Sequence, residues 1–330
     1  MTLRTTLAIT TAMAALLLGG SAQAADVRIA LVVKSLGNGF FDAAHKGAEQ
    51  AAKEIGGVSI IYTGPTTTTA EGQIDVINSL VSQKVDAIAV SANDKDALAP
   101  ALKKAMGRGI KVISWDSAVA PSGRELHLNP SSNELIGNMC LKLAADALPG
   151  GKGDVAILSA TATSTNQNTW IAEMKKVLPK YPGLNIVTTV YGDDLSDKSY
   201  RETQALLKTH PEVKVIIAPT SVGIVAAAQA VKDAGKIGEV FVTGLGLPSE
   251  MAGAVHSGAS KSFAIWNPID LGYSAAYLAD DLVKGQKATA GAELPMGRMG
   301  KLKLDDKLEG AMADPFVYDK SNVDEFAKIF

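Results

Sequence analysis

The chain has 330 residues, 47% hydrophobic and 20% charged, with 32 basic against 34 acidic side chains. A chain beyond about 250–300 residues is expected to divide into more than one lobe. Its near-neutral, slightly acidic balance does not favour nucleic acid or anionic membrane surfaces as partners. The single cysteine, Cys140, excludes an internal disulfide; it lies within a helical pattern at Leu135–Ala147 and reads as a small buried residue.

Residues 1–24 read as a cleaved secretory signal. Arg4 is their only charge, an apolar stretch runs from Leu7 to Leu18, and Ala22-Gln23-Ala24 closes the segment. A membrane anchor needs about 20 apolar residues, and Gly19, Gly20, Ser21 and Gln23 interrupt this one. With no cysteine near the cut, a lipid anchor is not expected. The remaining chain is expected to be exported and soluble.

Beyond the signal, short apolar runs alternate with amphipathic stretches. Strands are expected at Ile29–Val33, Ser59–Thr63, Ala87–Ser91, Val112–Trp115, Val155–Ser159, Ile186–Tyr191, Val215–Ala218, Val240–Thr243 and Ser262–Ile265. Several, such as IALVV and VAIL, are apolar along their length, as in central strands buried on both faces of a parallel sheet. Helical patterns such as DAAHKGAEQAAKEIG and AEGQIDVINSLVSQK lie between them. This rhythm predicts an α/β protein of two doubly wound parallel-sheet lobes. The segment PSGRELHLNPSS reads as a link, with a first inter-lobe crossing near Leu126–Ser131. The expected division is 1–24 as signal, 25–128 plus 247–296 as the N-terminal lobe, and 129–246 plus 297–330 as the C-terminal lobe. Further crossings are expected near Gly244–Pro248 and Pro295–Gly300.

Ligands of open α/β sheets bind beyond the carboxyl ends of the strands, so those positions carry the functional reading. Lys34 follows the first strand, with Phe40 and Phe41 close behind. Asp116 ends the fourth. Asn166, Gln167 and Trp170 follow the fifth, and Pro219, Thr220 and Ser221 the seventh. Trp266 and Asn267 follow the ninth. The mixture suits a neutral polyol: Asp116 accepts hydroxyl protons, Lys34 donates, and the carboxamides do both. The aromatic rings offer cover for a sugar's C–H face. Each residue also has a structural alternative. Phe40 and Phe41 suit a helix packed in the core, Asp116 and Asn166 or Gln167 suit helix caps, and the tryptophans suit packing.

The segments IALVVKSLGNGFFDAAHKGAEQAAKE, SANDKDALAPALKKAMGRGIKVISWDS, TSTNQNTWI, IIAPT and FAIWNPIDLGYSAAYLADDLVKGQ together resemble the periplasmic sugar-binding proteins of ABC importers, type I fold. The branch containing the rhamnose- and autoinducer-2-binding proteins is the one they resemble. The resemblance implies pocket roles for Lys34, Phe41, Asp116, Gln167 and Pro219. Asn166 stands where the autoinducer-2 branch has aspartate, and Ser221 where it has alanine. Together with NQN and IWNPIDLGY, this implies L-rhamnose or a similar deoxy sugar. It also implies a periplasmic monomer that closes on its ligand by a hinge and docks on an inner-membrane permease.

Other classes find less support. His45, His127, His210 and His256 show neither metal spacing nor triad order. In Gly37-Asn38-Gly39, Asp42 replaces the third glycine of a dinucleotide loop. Asp193, Asp194 and Asp197 lack the glycine and glutamate of an EF-hand and read as a solvated loop capping the next helix. The signal segment leaves no room for the DNA-binding helices of a sugar-responsive regulator. No enzymatic activity, metal or cofactor is expected.

Overall fold

A computed structural model describes residues 26–330; the expected signal segment lies outside the described residues. In chain order the first elements are β1 (Val27–Val32), α1 (Gly39–Ile55), β2 (Val58–Thr63), α2 (Ala70–Gln83), β3 (Ala87–Val90), α3 (Ala99–Met106), β4 (Lys111–Trp115) and β5 (Leu126–Asn129). Next come α4 (Asn133–Ala147), β6 (Gly153–Ser159), α5 (Thr165–Val177), β7 (Leu184–Tyr191), α6 (Ser196–Thr209), β8 (Val213–Ala218), α7 (Ser221–Asp233) and β9 (Phe241–Gly244). The chain ends with α8 (Pro248–Ser257), β10 (Ser262–Ile265), α9 (Pro268–Val283), β11 (Glu293–Pro295), β12 (Lys301–Lys303), β13 (Glu309–Ala311), β14 (Phe316–Asp319) and α10 (Val323–Phe326).

Two parallel sheets organise the molecule. The first runs β13-β5-β4-β3-β1-β2 and the second β7-β6-β8-β9. Ile29–Val32 of β1 and all of β3 are buried, whereas the edge strand β2 is only half-buried. Apolar runs sit where helices cover both faces of a sheet, because water then has access to neither face. A parallel bridge from Leu245 to Ala264 places β10 beside β9, and β10 pairs antiparallel with β14. The structure is thus of the expected class, two α/β lobes built on parallel sheets.

The lobe boundaries differ from the expected ones. The segment 247–296 is expected in the first lobe, but β10 within it bridges to Leu245, just past β9 of the second lobe, and pairs with β14. The segment 297–330 is expected in the second, but β13 pairs with β5 in the first, with Glu309 opposite His127. The chain therefore crosses at 130–132, at 266–267 and at 312–315. The first and third crossings run side by side, Met312 N–H donating to Asn129 O at 2.9 Å. Strand β5 itself lies in what reads as a link, because its four residues are too few to show a period. Arg124, nearly fully buried, pairs with Glu309 and donates to the carbonyls of Val119 and Leu308, which pins β13 beside β5.

Helix α9 packs across α1 in the first lobe at backbone contact. A Cβ on Gly272 would overlap the carbonyl oxygen of Ala44, and one on Gly47 that of Ile269. Cys140 is fully buried, and burial pushes its thiol up to about 12, so it is an inert packing residue. No helix among the described residues is long and apolar enough to cross a membrane.

Candidate functional site

The carboxyl ends of the two sheets face one cavity with an empty volume of about 380 Å³. Eleven of the twelve residues singled out by sequence line it: Lys34, Phe40, Phe41, Asp116, Asn166, Gln167, Trp170, Pro219, Thr220, Ser221 and Trp266. Asn38, Asp194, Leu245 and Ile265 complete the lining. Asn267 does not reach it. Its Oδ1 accepts from Ile269 N at 2.9 Å and its Nδ2 donates to Asp270, so it caps α9.

Lys34 owes its position to a buried scaffold. Gln73 Nε2 donates to the carbonyls of Val33 and Ser91, at 3.0 and 2.7 Å, tying the ends of β1 and β3 together. Asn93 Nδ2 holds the Lys34 carbonyl at 2.9 Å. The Lys34 ammonium then reaches across to the second lobe, donating to Ser164 Oγ at 3.0 Å and Asn166 Oδ1 at 2.8 Å. Asn166 completes a bridge by donating Nδ2 to Asp116 Oδ1 at 3.1 Å. A carboxamide can connect a cation to an anion in this way because one end accepts and the other donates.

Asp116 is 5% exposed and has a left-handed backbone, φ 57°. Aspartate tolerates that region better than most residues, and here the turn follows the strand end directly. Trp115, one residue earlier, points the other way into the core and is fully buried. Ser91 Oγ donates to Asp116 Oδ2 at 2.7 Å. Burial raises the carboxyl's pKa above its ordinary value; Lys34, Ser91 and Asn166 oppose that rise. Each Asp116 oxygen already has one protein donor and keeps a lone pair for a second. Gln167 Oε1 is occupied by Ser159 Oγ and Ala160 N, which leaves its amide nitrogen as the available donor.

Aromatic rings form part of the same lining. Trp266 sits between Phe40 and Trp170, with ring centroids 6.2 and 5.7 Å away. Phe41 packs edge-on to Phe40 and to Trp115, so it links the cavity to the core of the first lobe. Trp170 is oriented by its indole N–H, which donates to Asn133 Oδ1 at 2.9 Å. The packing and lining readings of these rings are therefore both realised. The four lining residues missed by sequence come from a helix cap, a left-handed turn and two aliphatic strand ends. Of these, only the cap has a signal in sequence; Asn38 Oδ1 accepts from Phe40 N at 3.0 Å, as an N-cap does.

Residues 29–287 match the family model described as a periplasmic binding protein domain. The chain belongs to this periplasmic binding protein family. It is 39% identical to an ABC transporter solute-binding protein from Clostridium phytofermentas solved with bound L-rhamnose. That match has a TM-score of 0.88 and covers 92% of this chain and 99% of the other. LsrB from Clostridium saccharobutylicum, solved with AI-2, is 25% identical with a TM-score of 0.86, over 91% and 99% of the two chains. The D-ribose/D-allose-binding protein of Pseudomonas aeruginosa is 29% identical over 66% of this chain and 70% of its own. This periplasmic binding protein is thus a sugar-binding component of an ABC transporter, and not an enzyme.

Proposed function

We propose that the chain captures L-rhamnose, or a deoxy sugar of similar shape, and delivers it to the membrane permease of its importer. One observation carries this reading: the cavity's lining combines polar side chains with aliphatic and aromatic ones. Lys34, Asp116, Asn166 and Gln167 offer donors and acceptors for hydroxyls, while Phe40, Leu245, Ile265 and the rings of Trp170 and Trp266 offer apolar surface; the Trp266 indole N–H has no protein acceptor among the described residues. A buried hydroxyl without a partner costs about 1–3 kcal/mol. A sugar carrying a methyl group in place of one hydroxyl avoids that cost where it meets the aliphatic and ring surface. Similarity to the L-rhamnose-bound protein supports the same choice.

Capture proceeds by hinge closure about the three crossings. The sugar binds the closed form better than the open one and shifts the population towards it. The direct bonds from Lys34 and Asp116 to Asn166 belong to that closed arrangement. We further propose that the signal segment is removed after Ala24 and that the exported chain acts as a monomer in the periplasm.

The test is calorimetry and thermal shift on the exported chain with L-rhamnose, D-ribose, D-allose and AI-2. L-Rhamnose at a hundredfold excess over its Kd is expected to stabilise the fold by about 2.7 kcal/mol. Stabilisation by AI-2 or D-ribose with none by L-rhamnose would refute the ligand assignment. Turnover of any of the four would refute a pure binding role.

A further inference from the structure

We propose that Asp194 is a second ligand-binding carboxylate, contributed by the second lobe, that accepts a sugar hydroxyl where Thr220 does not donate one. The proposal rests on the sugar-binding reading above. In sequence, Asp193 and Asp194 look alike, two solvated acids ahead of a helix. In the structure they diverge. Both have left-handed backbones, φ 55° and 54°, a conformation uncommon for any residue but glycine and, in succession, rarer still.

Several contacts hold this turn. Gly192 N–H donates to Ser159 O, Asp193 N–H to Ala160 O and Leu195 N–H to Gly192 O. Thr68 of the first lobe donates its hydroxyl to the Asp193 carbonyl at 2.5 Å. The Asp193 carboxylate pairs with Lys198 and takes no part in the cavity. The Asp194 side chain lines it.

Hydrogen-bond accounting then assigns the role. Thr220 caps α7, its Oγ1 accepting from Gly223 N–H at 3.1 Å, and donates its only hydroxyl proton to Asp194 Oδ1. Thr220 therefore has no proton left for a ligand. Asp194 Oδ2 has no donor among the described residues, and no lysine, arginine or histidine pairs with the carboxylate. Lys34, the cation lining the cavity, donates to Ser164 and Asn166 and makes no ion pair with Asp194. An anionic acceptor left open inside a small cavity calls for donors, and sugar hydroxyls supply them.

The experiment compares Asp194→Asn with Asp193→Asn by calorimetry, using whichever sugar of the four-compound screen binds the wild type. Asparagine keeps the size and tolerates the left-handed backbone, so both variants are expected to melt as the wild type does. Asp194→Asn is expected to weaken binding roughly ten- to hundredfold, the value of a hydrogen bond to a charged group. Asp193→Asn is expected to stay within about threefold, as for a solvated surface change. An Asp194→Asn affinity within that same margin overturns the proposal, and so does an equal loss in Asp193→Asn. If D-ribose or D-allose binds in place of L-rhamnose, the ligand assignment falls while Asp194 is tested on that sugar. No binding by any of the four overturns both.

Discussion

Replacing Asp116 with asparagine should move stability and affinity in opposite directions. Burial is the largest influence on this carboxyl and raises its pKa, despite Lys34, Ser91 and Asn166. The unfolded chain therefore gives up the proton at lower pH than the folded chain. Asp116 contributes a destabilisation that is present above the folded pKa and fades as pH falls through the interval towards the unfolded value. Asparagine resembles the protonated acid and fits the left-handed backbone, and its one oxygen keeps an acceptor for either Ser91 or Asn166. The ligand-free variant is thus expected to melt at or above the wild-type temperature at neutral pH, and to lose this part of the pH dependence. Affinity should fall, because the amide offers one acceptor oxygen where the carboxylate offers two. One lost hydroxyl contact to a charged group is worth about 1.5–3 kcal/mol, or roughly ten- to hundredfold in Kd. Scanning calorimetry from pH 4 to pH 8 and titration calorimetry with the bound sugar read the two effects separately. A variant that melts well below the wild type yet binds as tightly would refute the reasoning on both counts.

Two further substitutions separate packing and capping from binding. Gly272→Ala forces α9 away from the Ala44 carbonyl and is expected to cost about 1–3 kcal/mol by overpacking; denaturant titration with unchanged stability would mean the helices separate freely. Asn267→Ala removes the cap of α9 and should cost about 1 kcal/mol of stability while the sugar's Kd stays as in the wild type. A large loss of affinity there would place Asn267 in the site after all.

Much of this architecture is legible from local pattern. Runs such as Ile29–Val33 and Val155–Leu158 exclude water from both faces, and only a strand inside a covered parallel sheet needs that. Strand ends then mark the cleft, which is why Lys34, Asp116, Asn166 and Gln167 come together. What failed had no local signature. Strands β5 and β13 are four and three residues long, and which sheet such a strand joins is decided by the edge that lacks a hydrogen-bonding partner, information held elsewhere in the chain.

Side-chain direction divides in the same way. The sequence alone determined that donors, acceptors and rings gather at strand ends, because alternation and strand termination are local properties. Only tertiary structure decided that Asn267 turns back to cap its own helix, that Asn166 joins Lys34 to Asp116, and that Asp193 and Asp194 part company. The physical reason is that a polar side chain goes where its hydrogen bonds are satisfied, and the partners that satisfy these come from segments as far apart as residues 34 and 166.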